Sequence, residues 1–311
     1  MSDGKMSDTK TWDVVAMGEG LVEFNQRGSD AREYRLGHGG DTSNCVIAAS
    51  RLGARCGYIT QVGDDRFGTE LVDLWRRENV ALDGVRVLAG GVTGLYFVDH
   101  GPQGHRFSYR RAGSAASLLR ADDVSEPLIA QAKWLHVSGI SQAISASARA
   151  AVKHAVQLAR SHGAHVSYDL NFRPALASVD DARAMAAEVL PHCDLFFPSV
   201  DEIAMLTGIA EPHDILRWSH EQGAKSAVLK LGAKGCLVSE NGTMTEVPGV
   251  PAKPVDATGA GDCFAGACLS RLAKGDALVE AARFANRAAA FSTQGFGAVE
   301  PLPRLADLAL A

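Results

Sequence analysis

Asp256-Ala257-Thr258-Gly259-Ala260-Gly261-Asp262, a run of small residues bracketed by carboxylates, leads directly into an apolar helical pattern in which Phe264, Ala267, Cys268 and Leu272 share one face. Small residues just before a helix let backbone N–H groups converge on an anion, and the positive end of the helix dipole adds to them. Charge developing on a transferring phosphoryl group could be held there. A carboxylate at Asp262, in the first turn, is placed to accept a proton from a hydroxyl that attacks phosphorus. On local chemistry alone, the same residues also suit a tight turn followed by a helix-capping Asp.

Outward from this stretch, strands and helices alternate. Downstream, Leu278, Ala281, Ala285 and Ala288 mark a second helix. Upstream, Trp12–Met17, Tyr58–Val62, Lys133–Val137, His165–Leu170, Asp194–Phe197 and Ala227–Leu231 read as short buried strands. Helical spacing places helices from Thr42 (Val46, Ala49, Leu52, with Gly53 as the cap), around Leu71, Leu74 and Trp75, and over Ala146–Ser161. This rhythm implies a parallel sheet covered on both faces. Gly91–Arg111 breaks it: Leu95–Val98 and Arg106–Tyr109 alternate around Asp99-His100-Gly101-Pro102, a hairpin signal, and a hairpin with no helix to cover it should extend as a flap.

Composition sets bounds. The 311 residues, 46% hydrophobic and 22% charged, suffice for one α/β body with a small appendage. A net charge of -5 gives no global field for nucleic acid or anionic membrane. The six cysteines form no CxxC pair and read as reduced core residues of a cytoplasmic protein. The ten histidines contain no HExxH, and His162 and His165 are not expected to bind metal. No run approaches the ~20 apolar residues of a membrane span, and no signal-peptide core follows Met1. Residues 1–10, MSDGKMSDTK, read as a disordered tail.

GHGGDTSN (Gly37–Asn44) and DATGAGD (Asp256–Asp262) resemble the two signatures of the PfkB/ribokinase family of carbohydrate kinases. QVGDDRFG (Gln61–Gly68), DLNFRP (Asp169–Pro174), Asp201-Glu202 and LKLGAKG (Leu229–Gly235) follow in that family's order, so the resemblance runs from about Trp12 to Pro303. It implies a ribokinase-like, Rossmann-type αβα sandwich over residues 11–311, with lid strands inserted at about 20–36 and 91–112. It implies ATP and Mg²⁺, with a monovalent cation left open. Asp262 falls on the catalytic base, and Gly259, Ala260 and Gly261 on the backbone anion hole. Lys230, Gly232 and Gly235 fall on the segment lining the nucleotide phosphates, Asn286 beside the adenine, and Glu202 on the acidic end of an NxxE motif that arranges magnesium indirectly. Ser199 stands where that motif has Asn, which puts a side-chain role toward the nucleotide in doubt there. Ala257 replaces the usual Thr, with little effect expected.

GGDTSN, TGLYF (Thr93–Phe97), YRRAGSAAS (Tyr109–Ser117) and DLNFRP are similar, within that family, to the 2-keto-3-deoxygluconate kinases. That likeness puts Tyr96, Tyr109, Arg111 and Arg173 on the sugar acid, with Gly39 and Gly40 close to it and Asp41 and Asn44 nearby. The physical argument agrees: a carboxylate calls for a planar charged fork, which Arg supplies and Lys does not. Arg110 is left to solvent. The expected activity is phosphorylation of the primary hydroxyl of 2-keto-3-deoxygluconate. A neutral ketose or an epimeric acid is the near alternative, and a non-catalytic sugar-binding regulator the distant one. A homodimer through the lid is also expected.

Other signals fail. Gly18-Glu19-Gly20 begins like a dinucleotide fingerprint but has Glu23 where its third glycine belongs, and Gly223-Ala224-Lys225-Ser226 lacks the glycines of a P-loop. Asp64-Asp65 reads as a charged turn rather than a metal pair.

Overall fold

The computed structural model describes residues 10–28, 32–101 and 104–309. The strands are β1 (Trp12–Met17), β2 (Leu21–Gln26), β3 (Tyr34–Gly39), β4 (Cys56–Gly63), β5 (Val80–Leu88), β6 (Leu95–Gly101) and β7 (Gly104–Arg110). They continue as β8 (Ala132–Ser138), β9 (His165–Asp169), β10 (Leu195–Phe197), β11 (Ser226–Lys230), β12 (Gly235–Glu240) and β13 (Thr243–Pro248). Nine of them make one sheet in the order β13-β12-β11-β10-β9-β8-β1-β4-β5, and four make a second in the order β3-β2-β6-β7.

The centre of the large sheet is buried on both faces, and strands such as β1 and β10 are nearly continuous apolar runs, while the edge strands β5 and β13 are partly exposed. Alternate residues of β1 serve opposite cores: Val14 and Ala16 pack with the helices Asp41–Arg51, Ala260–Leu272 and Leu278–Ser292, while Val15 and Met17 pack with the Ala146–Ser161 side. Leu195 and Phe197 of β10 face the first core and Phe196 the second. This is the expected ribokinase-like α/β sandwich, with one correction. The sheet is not wholly parallel: β11–β12 and β12–β13 pair antiparallel. The reason is two short connections, Gly232–Lys234 between β11 and β12 and Asn241-Gly242 between β12 and β13, each too short for the crossover helix that a parallel return requires.

The second sheet joins β2 to β3 antiparallel, β2 to β6 parallel and β6 to β7 antiparallel. The hairpin at β6–β7 is longer than expected, because Asp99 and His100 pair with Arg106 and His105 rather than turning; Pro102 lies outside the described residues. The tail expected over residues 1–10 also lies outside them, apart from Lys10, whose ammonium donates to the His162 carbonyl at 2.9 Å. All six cysteines are free and buried. Among the described residues no helix is long and apolar enough to cross a membrane.

Two close backbone approaches fix how a pair of helices meets. Gly40 takes φ 102°, and a Cβ there would lie 2.1 Å from the Glu19 carbonyl, so the chain can enter the Asp41–Arg51 helix only through glycine. Gly266 lets the Ala260–Leu272 helix sit on that helix, since a Cβ would meet the Cys45 carbonyl at 2.2 Å. The N-terminal ends of the two helices are thereby brought together.

Candidate active site

A cleft of about 1190 Å³ opens beyond the carboxyl ends of β9, β10 and β11, where α/β sheets bind ligands, and faces Tyr96, Phe107 and Tyr109 of the smaller sheet. At its base Gly259, with φ 74°, caps the Ala260–Leu272 helix. Helix geometry leaves the first amides without an internal acceptor. Among the described residues those of Gly261 and Asp262 have none, whereas the Ala260 amide donates to the Ala257 carbonyl at 3.2 Å. Of the three residues expected to offer amides, Ala260 is thus engaged by the turn, while the amides left without an internal acceptor at this helix start include that of Asp262.

The Asp262 side chain is half-buried at the cleft, and its carboxylate accepts one hydrogen bond, from Asn44 Nδ2 at 2.8 Å. Burial, and then repulsion from the Asp41 carboxylate, push its pKa up to about 8, against the Asn44 bond and the Lys230 charge. A base is useful near the pH at which it works, so this environment suits proton abstraction. Lys230 Nζ lies across from it and donates to Asp169 Oδ2 at 2.5 Å. Although burial opposes its charge, Asp169 and Glu202 hold Lys230 above the ordinary lysine range. Asp41 accepts from Asn171 Nδ2 at 3.2 Å, and Asn171 itself sits at φ 42°, a conformation Asn tolerates.

Glu202 is buried, and one of its oxygens accepts the Ser199 amide at 3.2 Å, closing its own helix start. Burial raises its pKa despite Lys230. Arg173 Nη1 stands 3.9 Å from Glu202 and donates to the Phe172 carbonyl at 3.1 Å, with the side chain half exposed at the rim. Arg111 is buried and ion-paired with Glu19, its guanidinium 5.3 Å from the Tyr109 ring centre. Tyr96 and Tyr109 stack at 5.7 Å. Arg110 is exposed.

The cleft thus gathers Gly40, Asp41, Asn44, Tyr96, Tyr109, Arg111, Arg173, Ser199, Glu202, Lys230, Gly232, Gly259, Gly261 and Asp262. Four expected residues do not line it: Ala260, whose amide the turn engages, and Gly39, Gly235 and Asn286. Gly39 lies behind Tyr96, and a Cβ there would be 2.4 Å from the tyrosine oxygen. Gly235 is pressed against β13, where a Cβ would be 2.2 Å from the Val247 carbonyl. Asn286 is buried and donates to the carbonyls of Val247 and Pro248 at 3.2 Å each, so it fastens β13 rather than facing a ligand. Sequence reasoning gave no role to Glu19, Asp169 or Asn171. Asp169 and Asn171 were discoverable as polar residues ending an apolar strand; Glu19 carried no signal, because its partner is 92 residues away.

Asp64 and Asp65 behave as a charged turn: Asp65 accepts from Gly68 and Thr93 amides at 2.7 and 2.8 Å, and Asp64 from Gly90 at 3.0 Å. Among the described residues no group of three or more His, Cys, Asp or Glu is arranged to hold a metal ion.

A profile described as pfkB family carbohydrate kinase matches residues 7–305. The chain belongs to that family. This carbohydrate kinase is 33% identical over 307 residues to the 2-dehydro-3-deoxygluconokinase of Dickeya dadantii, covering 94% of this chain and 98% of that protein. It is 34% identical over 310 residues to fructokinase-1 of Zea mays, covering 95% and 96%. Among solved structures, a putative ribokinase II from E. coli, in complex with ATP and Mg²⁺, superposes with TM-score 0.88 at 28% identity over 96% of this chain and 97% of that one. As a family member the kinase acts on a carbohydrate; relatives of both acid-sugar and ketose type stand at comparable distance.

Proposed function

We propose that this kinase transfers the γ-phosphoryl group of ATP to the primary hydroxyl of 2-keto-3-deoxygluconate, giving the 6-phosphate and ADP. The observation that carries the proposal is Asp262: a half-buried carboxylate with a raised pKa, at a helix start whose own amide and that of Gly261 are free. Asp262 accepts the hydroxyl proton as the new P–O bond forms and the bond to ADP breaks. The free amides receive the charge on the transferring group. Lys230 and Gly232 line the nucleotide side.

The residues present fit Mg²⁺ in one particular way. Mg²⁺ binds through one or two carboxylates plus substrate phosphates, and Glu202, on the cleft wall, has one oxygen engaged by Ser199 and the other 3.9 Å from Arg173 Nη1, beyond hydrogen-bond distance. Bound there, it would neutralise phosphate charge. On the acceptor side Arg173 supplies the cation for the sugar carboxylate, and Tyr109 and Arg111 shape the wall. Closure of the smaller sheet over the acceptor would exclude water that otherwise competes for the phosphoryl group.

A neutral ketose is the second reading, and one observation favours it: Arg111 already has a buried counter-charge in Glu19. ADP release measured against a panel of keto-deoxy acids and ketoses tests both. 2-keto-3-deoxygluconate should give the highest kcat/KM, and fructose exceeding it would establish the second reading. Arg173→Lys should raise the KM for the acid at least about tenfold while leaving that for ATP nearly unchanged, because Lys loses the bidentate fork. Equal shifts for both substrates would reject a carboxylate role.

A further inference from the structure

The face of the smaller sheet that carries Tyr96 and Tyr109 also holds a buried acid that phosphoryl transfer does not use. Glu23 of β2 lies opposite Tyr96 of β6, which in turn lies opposite Tyr109 of β7. The Tyr96 hydroxyl donates to Glu23 Oε2, and Glu23 Oε1 accepts from Asn25 Nδ2 at 3.2 Å. Both members of the pair are almost wholly buried, at 3% and 4% exposure. Strand β3 is shaped around them. A Cβ at Gly37 would stand 3.0 Å from Glu23 Oε1, and one at Gly39 would stand 2.4 Å from the Tyr96 oxygen. Burial, and then the neighbouring Glu23, hold the Tyr96 phenol well above its ordinary pKa, so it keeps its proton. A phenol oxygen has one proton to give, and here that proton is committed.

We propose that Glu23 is a positioning residue that sets the hydrogen-bond polarity of the acceptor pocket. By taking the only proton of Tyr96 it leaves that oxygen able to accept but not donate. This wall then selects a hydroxyl of the sugar over a carbonyl or carboxylate oxygen and turns the acid end toward Arg173. The inference rests on the reading that Tyr96 lines the acceptor site.

Kinetics on whichever acceptor the panel finds best keep the two apart, because a wrong sugar assignment shows in the panel and a wrong role for Glu23 only in the variants. Glu23→Met, similar in volume but without an acceptor, should raise the acceptor KM about tenfold with the KM for ATP and kcat nearly unchanged. Glu23→Gln retains an acceptor oxygen and should recover most of that loss. Tyr96→Phe should raise the acceptor KM to a similar degree, and adding Glu23→Met to it should change nothing further. On the unaltered enzyme, an acceptor carrying fluorine in place of the contacting hydroxyl should bind no better than the deoxy compound, since fluorine cannot donate. Additive effects of the two substitutions, parallel shifts in both KM values, or tighter binding of the fluorinated acceptor would each overturn the proposal.

Discussion

Asp262, half-buried at the cleft, and Asp194, buried, belong to the same α/β body, and their surroundings push them in opposite directions. Asp194 accepts the Val166 amide at 2.8 Å, Arg160 at 2.9 Å and Lys225 at 2.6 Å, with His165 3.6 Å away. Burial works against its charge, but these donors overcome it and hold the carboxyl far below the usual range. Asp262 has a single donor, Asn44, and faces Asp41. The difference is one of satisfaction, not of depth. A fully paired carboxylate is a fastener and has no affinity left for a proton, whereas an underpaired one is costly to keep ionised and is therefore a base.

The sharpest way to break this comparison is to remove each charge. Asp262→Asn keeps the shape and the Asn44 contact but cannot take a proton, so turnover should fall by ~10²–10⁴-fold with nucleotide binding retained. The same variant should melt no lower than the parent, and by the logic of strained active sites somewhat higher. Near-normal turnover in steady-state assays would reject Asp262 as the base.

The second effect is in pH. Asp262 must be ionised to act, and its pKa is raised to about 8, so kcat/KM should be full above that value and fall about tenfold per unit below it. A profile flat down to pH 5 would contradict the assignment. Stability should show the opposite signs at the two sites. A raised folded-state pKa makes the contribution of Asp262 fullest below its unfolded value near ~4 and lost as pH rises through the folded one. The lowered pKa of Asp194 makes its contribution present above ~4 and lost on acidification. Melting curves of the two Asn variants against pH separate these limbs.

Third in size is Asp194→Asn itself. Its cationic partners are substantially exposed, which screens the loss, so about 2 kcal/mol, or roughly 5 °C in melting temperature, is expected, with kcat unchanged. A large loss of turnover at full stability would mean that the fastener is coupled to the cleft.

The same contrast explains what could be read in advance. Burial on both faces writes itself into β1 and β10 as apolar runs, and the glycine-capped helix start writes itself into Gly259–Asp262 as small residues before an apolar face. These are local constraints, visible within a window of a dozen residues. The antiparallel edge formed by β12 and β13 was missed because two short turns, Gly232–Lys234 and Asn241-Gly242, decide it. Glu19 and Glu23 were missed because what makes them important is a partner about 70 to 90 residues distant. The contacts of Asn286 were illegible for a related reason: an Asn in a helix reads alike whether its amide meets a ligand or, as here, two carbonyls of a neighbouring strand.

The smallest expected effect concerns Ser199, which stands where the family motif has Asn. Glu202 grips the backbone amide of position 199, not its side chain, so the helix start survives the change to Asn, which caps helices about as well as Ser. Ser199→Asn should therefore shift the melting temperature by less than about 2 °C, within the usual range for such surface-like substitutions. The side chain lies on the cleft wall beside Glu202 and Lys230, and there an added amide can reach a ligand that a hydroxyl cannot. A fall of about two- to threefold in the KM for ATP, with the acceptor KM constant, is the outcome consistent with a nucleotide-side position. A change in the acceptor KM instead would place position 199 on the sugar side of Asp262, and the division of the cleft into nucleotide and sugar halves would have to be redrawn around it.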